Sequence, residues 1–330
     1  MRRFEARGRL QQAPGTQLST GFHPARRSLA QPVRFGDTPH RGNASVTVPG
    51  GTAMKSVLVA VEEHTLLPQV LETAFALGQA FESYIEGVPV TLDLPTAVPV
   101  DMAIGAPLVL DSESRREMVA ASRHHFETFM KGRGLARAAG GLSGPSFGWH
   151  EGDLTNDTFF GAYARTFDIA VVGRPSSKAN HPRLATAESA LFESGRPILV
   201  VPPATVATFG TSVVIAWNRS TETARAVQLA LPVLMRAGQV TVLSLEDWGV
   251  EGPAAEDLAR SLRRHGIAAQ CRTAPPGRNA GEAILKETAA LGGDLLIKGA
   301  YTQSRLRQLI FGGATSHILA NASLPVIMAH

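Results

Sequence analysis

Asp168-Ile-Ala-Val-Val-Gly173 and Asp294-Leu-Leu-Ile-Lys-Gly299 write one phrase twice, with an Asp, a short run and a Gly in matching places. A run this short, bounded by an acid and a glycine, reads as a buried strand of a parallel sheet. The duplication extends outward on both sides. Ser56-Val-Leu-Val-Ala-Val-Glu62 aligns without gaps on Ser212-Val-Val-Ile-Ala-Trp-Asn218, and Arg196-Pro-Ile-Leu-Val-Val201 aligns on Leu324-Pro-Val-Ile-Met-Ala329. Strand pairs at similar spacing therefore mark each end of a repeat, which chance alternation would not supply.

Between these landmarks, β-branched runs alternate with amphipathic stretches, the signature of βα units. In the first copy the pattern predicts helices over 66–81, 112–131, 154–165 and 184–194, with strands near 84–90 and 146–150. In the second it predicts helices over 221–236, 253–265 and 280–291, with strands at 240–245 and 268–273. The fold class is α/β: two tandem Rossmann-like domains, each a mainly five-stranded parallel sheet flanked by helices. The expected boundaries are 54–204 and 211–330, in keeping with 330 residues at ~150 per domain.

The first 53 residues belong to neither copy. They hold eight arginines against Glu5 and Asp37, an excess of six positive charges, whereas the whole chain carries only +4. The high isoelectric point thus belongs to the leader, and the remainder offers no positive excess to a nucleic-acid backbone. The leader is rich in Gly, Pro, Gln and Ser with no apolar period, so it reads as a disordered basic tail. Its Arg-rich, acid-poor start also suits a transit peptide, but it lacks a clear amphipathic stripe. Met54, just before the first strand, offers itself as an alternative start.

No run approaches the roughly 18 apolar residues of a spanning helix, so no membrane partner is expected. The one cysteine, Cys271, excludes an internal disulfide and a CxxC pair, which suits a reducing cytoplasm. Catalytic signatures are missing: there is no Gly-x-Ser-x-Gly elbow, Walker A sequence, dinucleotide Gly-x-Gly-x-x-Gly or His-Glu-x-x-His. The expectation is a non-enzyme with no metal site of its own.

In an open parallel sheet, ligands bind beyond the carboxyl ends of the strands, where helix amino ends meet anions. In the second copy that singles out Ala216, Trp217 and Asn218, Leu243 at the end of the next strand, and the segment from Gly299 through Thr302 to Gly312, Gly313, Ala314 and Thr315. Glycines at 299 and 312 would let backbone approach a phosphate, and a helix starting near Gly313 would aim its N–H groups at negative charge. A ligand-free loop turn is the competing reading. Trp217 suits either stacking on an adenine ring or the core. Arg305 and Arg307 either reach phosphates or face water.

Residues 299–319 (Gly-Ala-Tyr-Thr-Gln-Ser-Arg-Leu-Arg-Gln-Leu-Ile-Phe-Gly-Gly-Ala-Thr-Ser-His-Ile-Leu), with 324–328, resemble the universal stress protein family in its tandem form, as does 191–202. The resemblance runs from Met54 to His330 and implies an adenine nucleotide α-hydrolase-like fold whose members associate through the last strand. It implies an internal pseudo-dimer, with a homodimer through terminal strands as a further option. Some members bind ATP through Gly, two residues, Gly, nine residues, Gly and Ser or Thr, with an Asp closing the first strand. Here Gly299 and Gly312 match, whereas Thr302, Gly313 and Asn218 depart from the second Gly, the hydroxyl residue and the Asp. Thr315 and Ser316 stand close enough to substitute.

The first copy departs further. Glu62 keeps a carboxylate, but Arg174-Pro175 follows Gly173, and Pro175 removes an amide that a phosphate loop needs. The reading is a stress-response protein that holds ATP or another adenine nucleotide in its second copy, with Mg²⁺ entering only with the nucleotide. A nucleotide-independent interaction or scaffold module is the alternative, and a slow ATPase is a third, with no general base identifiable.

Overall fold

A computed structural model describes residues 33–36, 53–91, 112–139, 144–152, 155–204, 207–300 and 313–330. The first half contains β1 (Arg34–Phe35), β2 (Ser56–Val61), α1 (Leu67–Phe81), β3 (Tyr84–Pro89), α2 (Ser112–Gly132), β4 (Ala136–Arg137), β5 (Ser146–Trp149), α3 (Asp157–Tyr163), β6 (Ile169–Gly173), α4 (Leu184–Glu193) and β7 (Ile198–Val201). The second contains β8 (Thr208–Phe209), β9 (Ser212–Ala216), α5 (Thr221–Leu229), α6 (Leu231–Leu234), β10 (Gln239–Leu245), α7 (Ala255–Arg264), β11 (Ala269–Ala274), α8 (Ala280–Ala290), β12 (Leu295–Gly299), α9 (Ala314–Asn321) and β13 (Val326–Ala329).

The strands outside β1 and β8 form one eleven-stranded sheet in the order β11-β10-β9-β12-β13-β7-β6-β2-β3-β5-β4. Counted within each half, the third, second, first, fourth and fifth strands lie side by side, with β4 added at one edge. The α/β class and its repeated parallel plan are as the sequence predicts. Between first and fourth strands the winding reverses, at β2 beside β6 and at β9 beside β12. Such a reversal splays the flanking loops and opens a crevice beyond the carboxyl ends.

The halves meet through their last strands. β7 and β13 pair antiparallel, with Val326 opposite Val200 and Met328 opposite Ile198. Each also pairs with its own fourth strand, so both edges are used within the chain. Pairing through terminal strands is therefore internal, and those edges are not open to a second copy. An apolar layer on each face of the sheet runs through both halves: Val59, Leu199, Ile297 and Ile327 share one, and Leu58, Val200, Leu296 and Met328 the other.

Two elements differ from expectation. The helix predicted over 221–236 breaks into α5 and α6, because Pro232 enters at the start of α6 and cannot continue the hydrogen-bond ladder. The leader is not without structure throughout: β1 pairs parallel with β8, through Arg34 N to Ala207 O at 2.7 Å and Gly36 N to Phe209 O at 2.8 Å. Val33 and Phe35 alternate with exposed Arg34, and the Phe35 ring meets Phe81 and Phe209 edge-on, at 5.5 and 5.0 Å between centroids. A period of two that buries one face offsets the ordering entropy that composition alone suggests it cannot. Among the described residues, no helix is long and apolar enough to cross a membrane.

The repeated acids have the same task in both halves. Asp168 Oδ2 accepts from Lys55 N at 2.7 Å and Ser56 N at 2.9 Å. Asp294 accepts from Gly210 N, Thr211 N and Ser212 N at 2.9–3.0 Å. Each carboxylate ties the start of its fourth strand to the start of the first, which aligns the two strand ends that flank the crevice.

Candidate functional site

The first switch point is filled by the protein itself. Glu62, 6% exposed, follows β2, and its Oε1 accepts from Arg183 Nη2 at 2.8 Å and Nε at 3.1 Å. Arg183 caps α4 and also reaches Asp157 at the start of α3, with Nη1 to Oδ2 at 3.0 Å. The Thr186 hydroxyl touches both acids, Glu62 Oε1 and, at 2.6 Å, Asp157 Oδ1. A hydroxyl has one proton to give, which the two carboxylates share. Burial raises the Glu62 pKa, with Thr186 and Arg183 opposing.

His64 stands beside Glu62, Nε2 to Oε2 at 3.7 Å, and burial lowers its pKa to about 4, so it is neutral near pH 7. Its Nδ1 accepts from Leu66 N at 3.1 Å. The loop after β6 folds back over the strand ends, with Thr65 N donating to Asn180 O at 2.9 Å and Ser176 N to Pro182 O at 3.0 Å. A Cβ at Gly173 would collide with the Pro182 ring. Gly173 is small so that this loop can lie on it. Arg174 donates to Ala320 O near the end of α9, tying the halves together rather than facing an open cleft.

The second switch point is built differently. Trp217 lies in the apolar layer, and its indole Nε1 donates to Pro253 O at 3.0 Å. The residue is 5% exposed. Its backbone N donates to Leu243 O at 2.8 Å, and Ala216 and Leu243 are both buried in the opposite layer. Asn218, 5% exposed, turns Oδ1 back to Thr223 Oγ1 and to Ser220 N at 3.3 Å, bracing the start of α5. Its carbonyl accepts from Val250 N at 3.0 Å. Gly249 has φ +115°, and a Cβ there would lie 2.5 Å from that carbonyl, so the loop after β10 closes over Asn218. At the end of β9, the Trp217 indole N–H and the Asn218 Oδ1 are thus both bonded within the protein.

The fourth strand supplies the remaining residues. A Cβ at Gly299 would strike the Thr223 amide and the Glu222 carbonyl carbon, so close packing against α5 demands this glycine, whatever a ligand asks. Gly313 caps α9 with φ −66° and ψ 162°, Ala314 is its first residue, and no side chain bonds the cap. Thr302 and Gly312, with Arg305 and Arg307, lie outside the described residues.

Lys298, which the sequence reading did not single out, is the cation at this end. It is 3% exposed, and Nζ donates to Gly299 O at 2.6 Å and Thr315 Oγ1 at 2.8 Å. Burial lowers its pKa from 10.5 to about 8, opposed by Glu222 through space. The structure brings the Gly299 carbonyl and the Thr315 hydroxyl to it. A lysine in an otherwise apolar strand, opposite Val172 in the matching place of the first copy, was the available signal.

No family sequence model matches the chain, and no curated protein matches it in sequence. Solved structures match it in three dimensions. A universal stress protein from Archaeoglobus fulgidus DSM 4304 is 13% identical, with TM-score 0.62, over 84% of this chain and 97% of its own. The fold is that of the universal stress proteins. A candidate universal stress protein from Pseudomonas aeruginosa UCBPP-PA14 superposes at TM-score 0.51 and 11% identity, over 84% of this chain and 94% of its own. A functionally unknown protein from Pseudomonas aeruginosa PAO1 does so at 0.52 and 11%, over 84% and 93%. At such identity the likeness to the universal stress protein fold speaks for architecture, and residue roles rest on the geometry above.

Other groups carry less chemistry. Burial and Glu256 push the Cys271 thiol up to about 11, so it stays protonated and unreactive near neutral pH. Among the described residues no group of three or more His, Cys, Asp or Glu side chains could hold a metal ion.

Proposed function

We propose that this chain is a universal-stress-protein-like, non-catalytic stress-response protein of the cytoplasm. Its second half holds the phosphate end of one adenine nucleotide, ATP or a relative, and Mg²⁺ accompanies the nucleotide alone. The observation that carries this reading is the contrast between switch points. The first is occupied by Arg183 and two acids, whereas the second sets the Lys298 ammonium against the amino end of α9, capped by a glycine. Donors and positive charge converging beyond the carboxyl ends of a parallel sheet suit a phosphate. The phosphate half of a nucleotide fits this donor set. The base half finds Trp217 and Asn218 already bonded within the protein.

That last point favours a second reading, an interaction module whose two halves act as an internal pseudo-dimer without nucleotide. The β7–β13 pairing joins the halves directly, strand to strand. Mass spectrometry of the denatured, freshly purified chain separates the two. A released adenine nucleotide supports the first reading. Its absence, together with no thermal shift on adding ATP, ADP or AMP, supports the second.

A further inference from the structure

Val33-Arg34-Phe35-Gly36 alternates inward and outward, with Val33 and Phe35 buried and Arg34 exposed. Along β8, Ala207 O accepts from Arg34 N at 2.7 Å and Phe209 O from Gly36 N at 2.8 Å. Phe35 bridges the halves. Its ring stands edge-on both to Phe81, the last residue of α1, and to Phe209 in β8. Arg236, beyond the end of α6 in the second half, brings its guanidinium to 5.2 Å from the centroid of the same Phe81 ring.

The fit is reciprocal. A Cβ on Gly36 would overlap the Thr211 side chain, and a Cβ on Gly210 would lie 2.6 Å from the Phe35 ring. Gly210 also has φ +84°, a left-handed backbone that favours glycine. The repeated strand plan does not ask for that residue: with Ser212 aligned on Ser56, Gly210 falls where the first half has Met54. Asp294, just before β12, accepts from the amides of Gly210, Thr211 and Ser212, so the second half itself holds the β8 side of this contact. The leader side is held more lightly. Among the described residues β1 has two backbone bonds to β8 and two buried apolar side chains, and it reaches β2 through residues 37–52. A strand this short does not stay ordered alone, but attachment to the same chain gives it a high effective concentration.

We infer that β8, Gly210 and the Phe81 and Phe209 rings form a strand-docking groove at the seam between the halves, and that the chain's own Val33–Gly36 is a detachable clasp seated in it. Recognition is by strand addition: main-chain bonds to β8 supply affinity, and the pattern of an apolar residue, any residue, an aromatic and a glycine supplies specificity. Opening the clasp withdraws Phe35 from Phe81 and Phe209 together, so the state of the leader is felt in both halves. It also bares the Phe209 ring and the β8 edge to an extended peptide of the same pattern, with neither half unfolded. The clasp involves no nucleotide and stands apart from that reading.

Two measurements on the full chain test the clasp. Arg34 and Thr208 are register partners with exposed side chains. In a Cys271→Ser background, Arg34→Cys with Thr208→Cys should therefore form a disulfide within one chain on mild oxidation. Adding Phe35→Ser should slow its formation about tenfold or more, because the clasp loses its main apolar anchor. A disulfide-linked dimer in place of the internal bond gives the groove to a second copy and overturns the clasp. No cross-link, or one formed equally fast with Phe35→Ser, overturns the groove. Hydrogen exchange on the natural chain needs no variant. The amides of Arg34 and Gly36 should exchange about tenfold or more slowly than in an unstructured peptide, yet about a hundredfold or more faster than those of β9. Exchange at the unstructured rate overturns docking, and exchange as slow as that of β9 makes the segment a fixed part of the core and overturns its detachment.

Discussion

At the first switch point two acids, Glu62 and Asp157, close on the guanidinium of Arg183, and the loop after β6 lies over Gly173. At the second, the same strand ends carry a lysine under a helix amino end, and the acid of the first strand is replaced by Asn218. One duplicated framework thus supports two opposite solutions. The first copy neutralises its own charges, and the second leaves a positive one uncompensated. Repetition of a strand plan preserves where a crevice opens, and the few residues at its rim decide whether it remains available.

The largest effect should come from breaking the filled site. Arg183→Met leaves Glu62 and Asp157 buried without their cation, which should cost about 3–5 kcal/mol near neutral pH. The loss should shrink as pH falls and the acids take up protons. Urea denaturation at neutral and acid pH reads both, and a pH-independent loss would contradict the charge account.

Glycine replacement should then separate the two crevices. Gly299→Ala drives a Cβ into the α5 backbone and should cost about 1–3 kcal/mol. Gly173→Ala meets side-chain atoms alone, the Pro182 ring and, at 3.4 Å, His64 Cε1, and should cost less in the same denaturation assay. Equal losses would mean that the loop over the first site is as unyielding as a helix.

Lys298→Met should act with the opposite sign. The folded pKa of about 8 lies below the ordinary 10.5, so the folded chain holds this proton less well than the unfolded one. That penalty, about 3 kcal/mol at ~1.4 kcal/mol per pKa unit, is present in full below pH 8 and disappears as pH rises to 10.5. After the loss of two hydrogen bonds at about 1 kcal/mol each, a net gain of about 1 kcal/mol remains near neutral pH. Thermal melts across pH should show the variant's advantage fading above about pH 8.

The smallest difference concerns what the halves share. Asp294 uses both carboxylate oxygens and Asp168 mainly one, so Asp294→Asn should cost about 1 kcal/mol more than Asp168→Asn in denaturation midpoints.

The fold was legible because its signal is repeated: each apolar run has a twin, and the twins fall on matching strands. β1 was not, since Val33-Arg34-Phe35 is too short to show a period and its partner Thr208–Phe209 is remote in sequence. The break at Pro232 was readable and was smoothed over by the surrounding helical spacing. At the site, the glycine at 299 was singled out for close backbone approach to a phosphate, whereas its packing reason lies in α5, which a local pattern does not place. Trp217 could be weighed only as core or stacking, because the carbonyl of Pro253 that holds its indole comes from a distant loop. Lys298 stood in plain view as a charge in an apolar strand, yet only the position of Thr315 gives it a meaning.

Native mass spectrometry of the full chain with saturating AMP counts occupied crevices directly. One nucleotide per chain is the predicted stoichiometry, with occupancy at the same concentration lowered by Lys298→Met. Two nucleotides on the natural chain would show the Arg183 site to be open, and none would show that the Lys298 cradle holds no nucleotide.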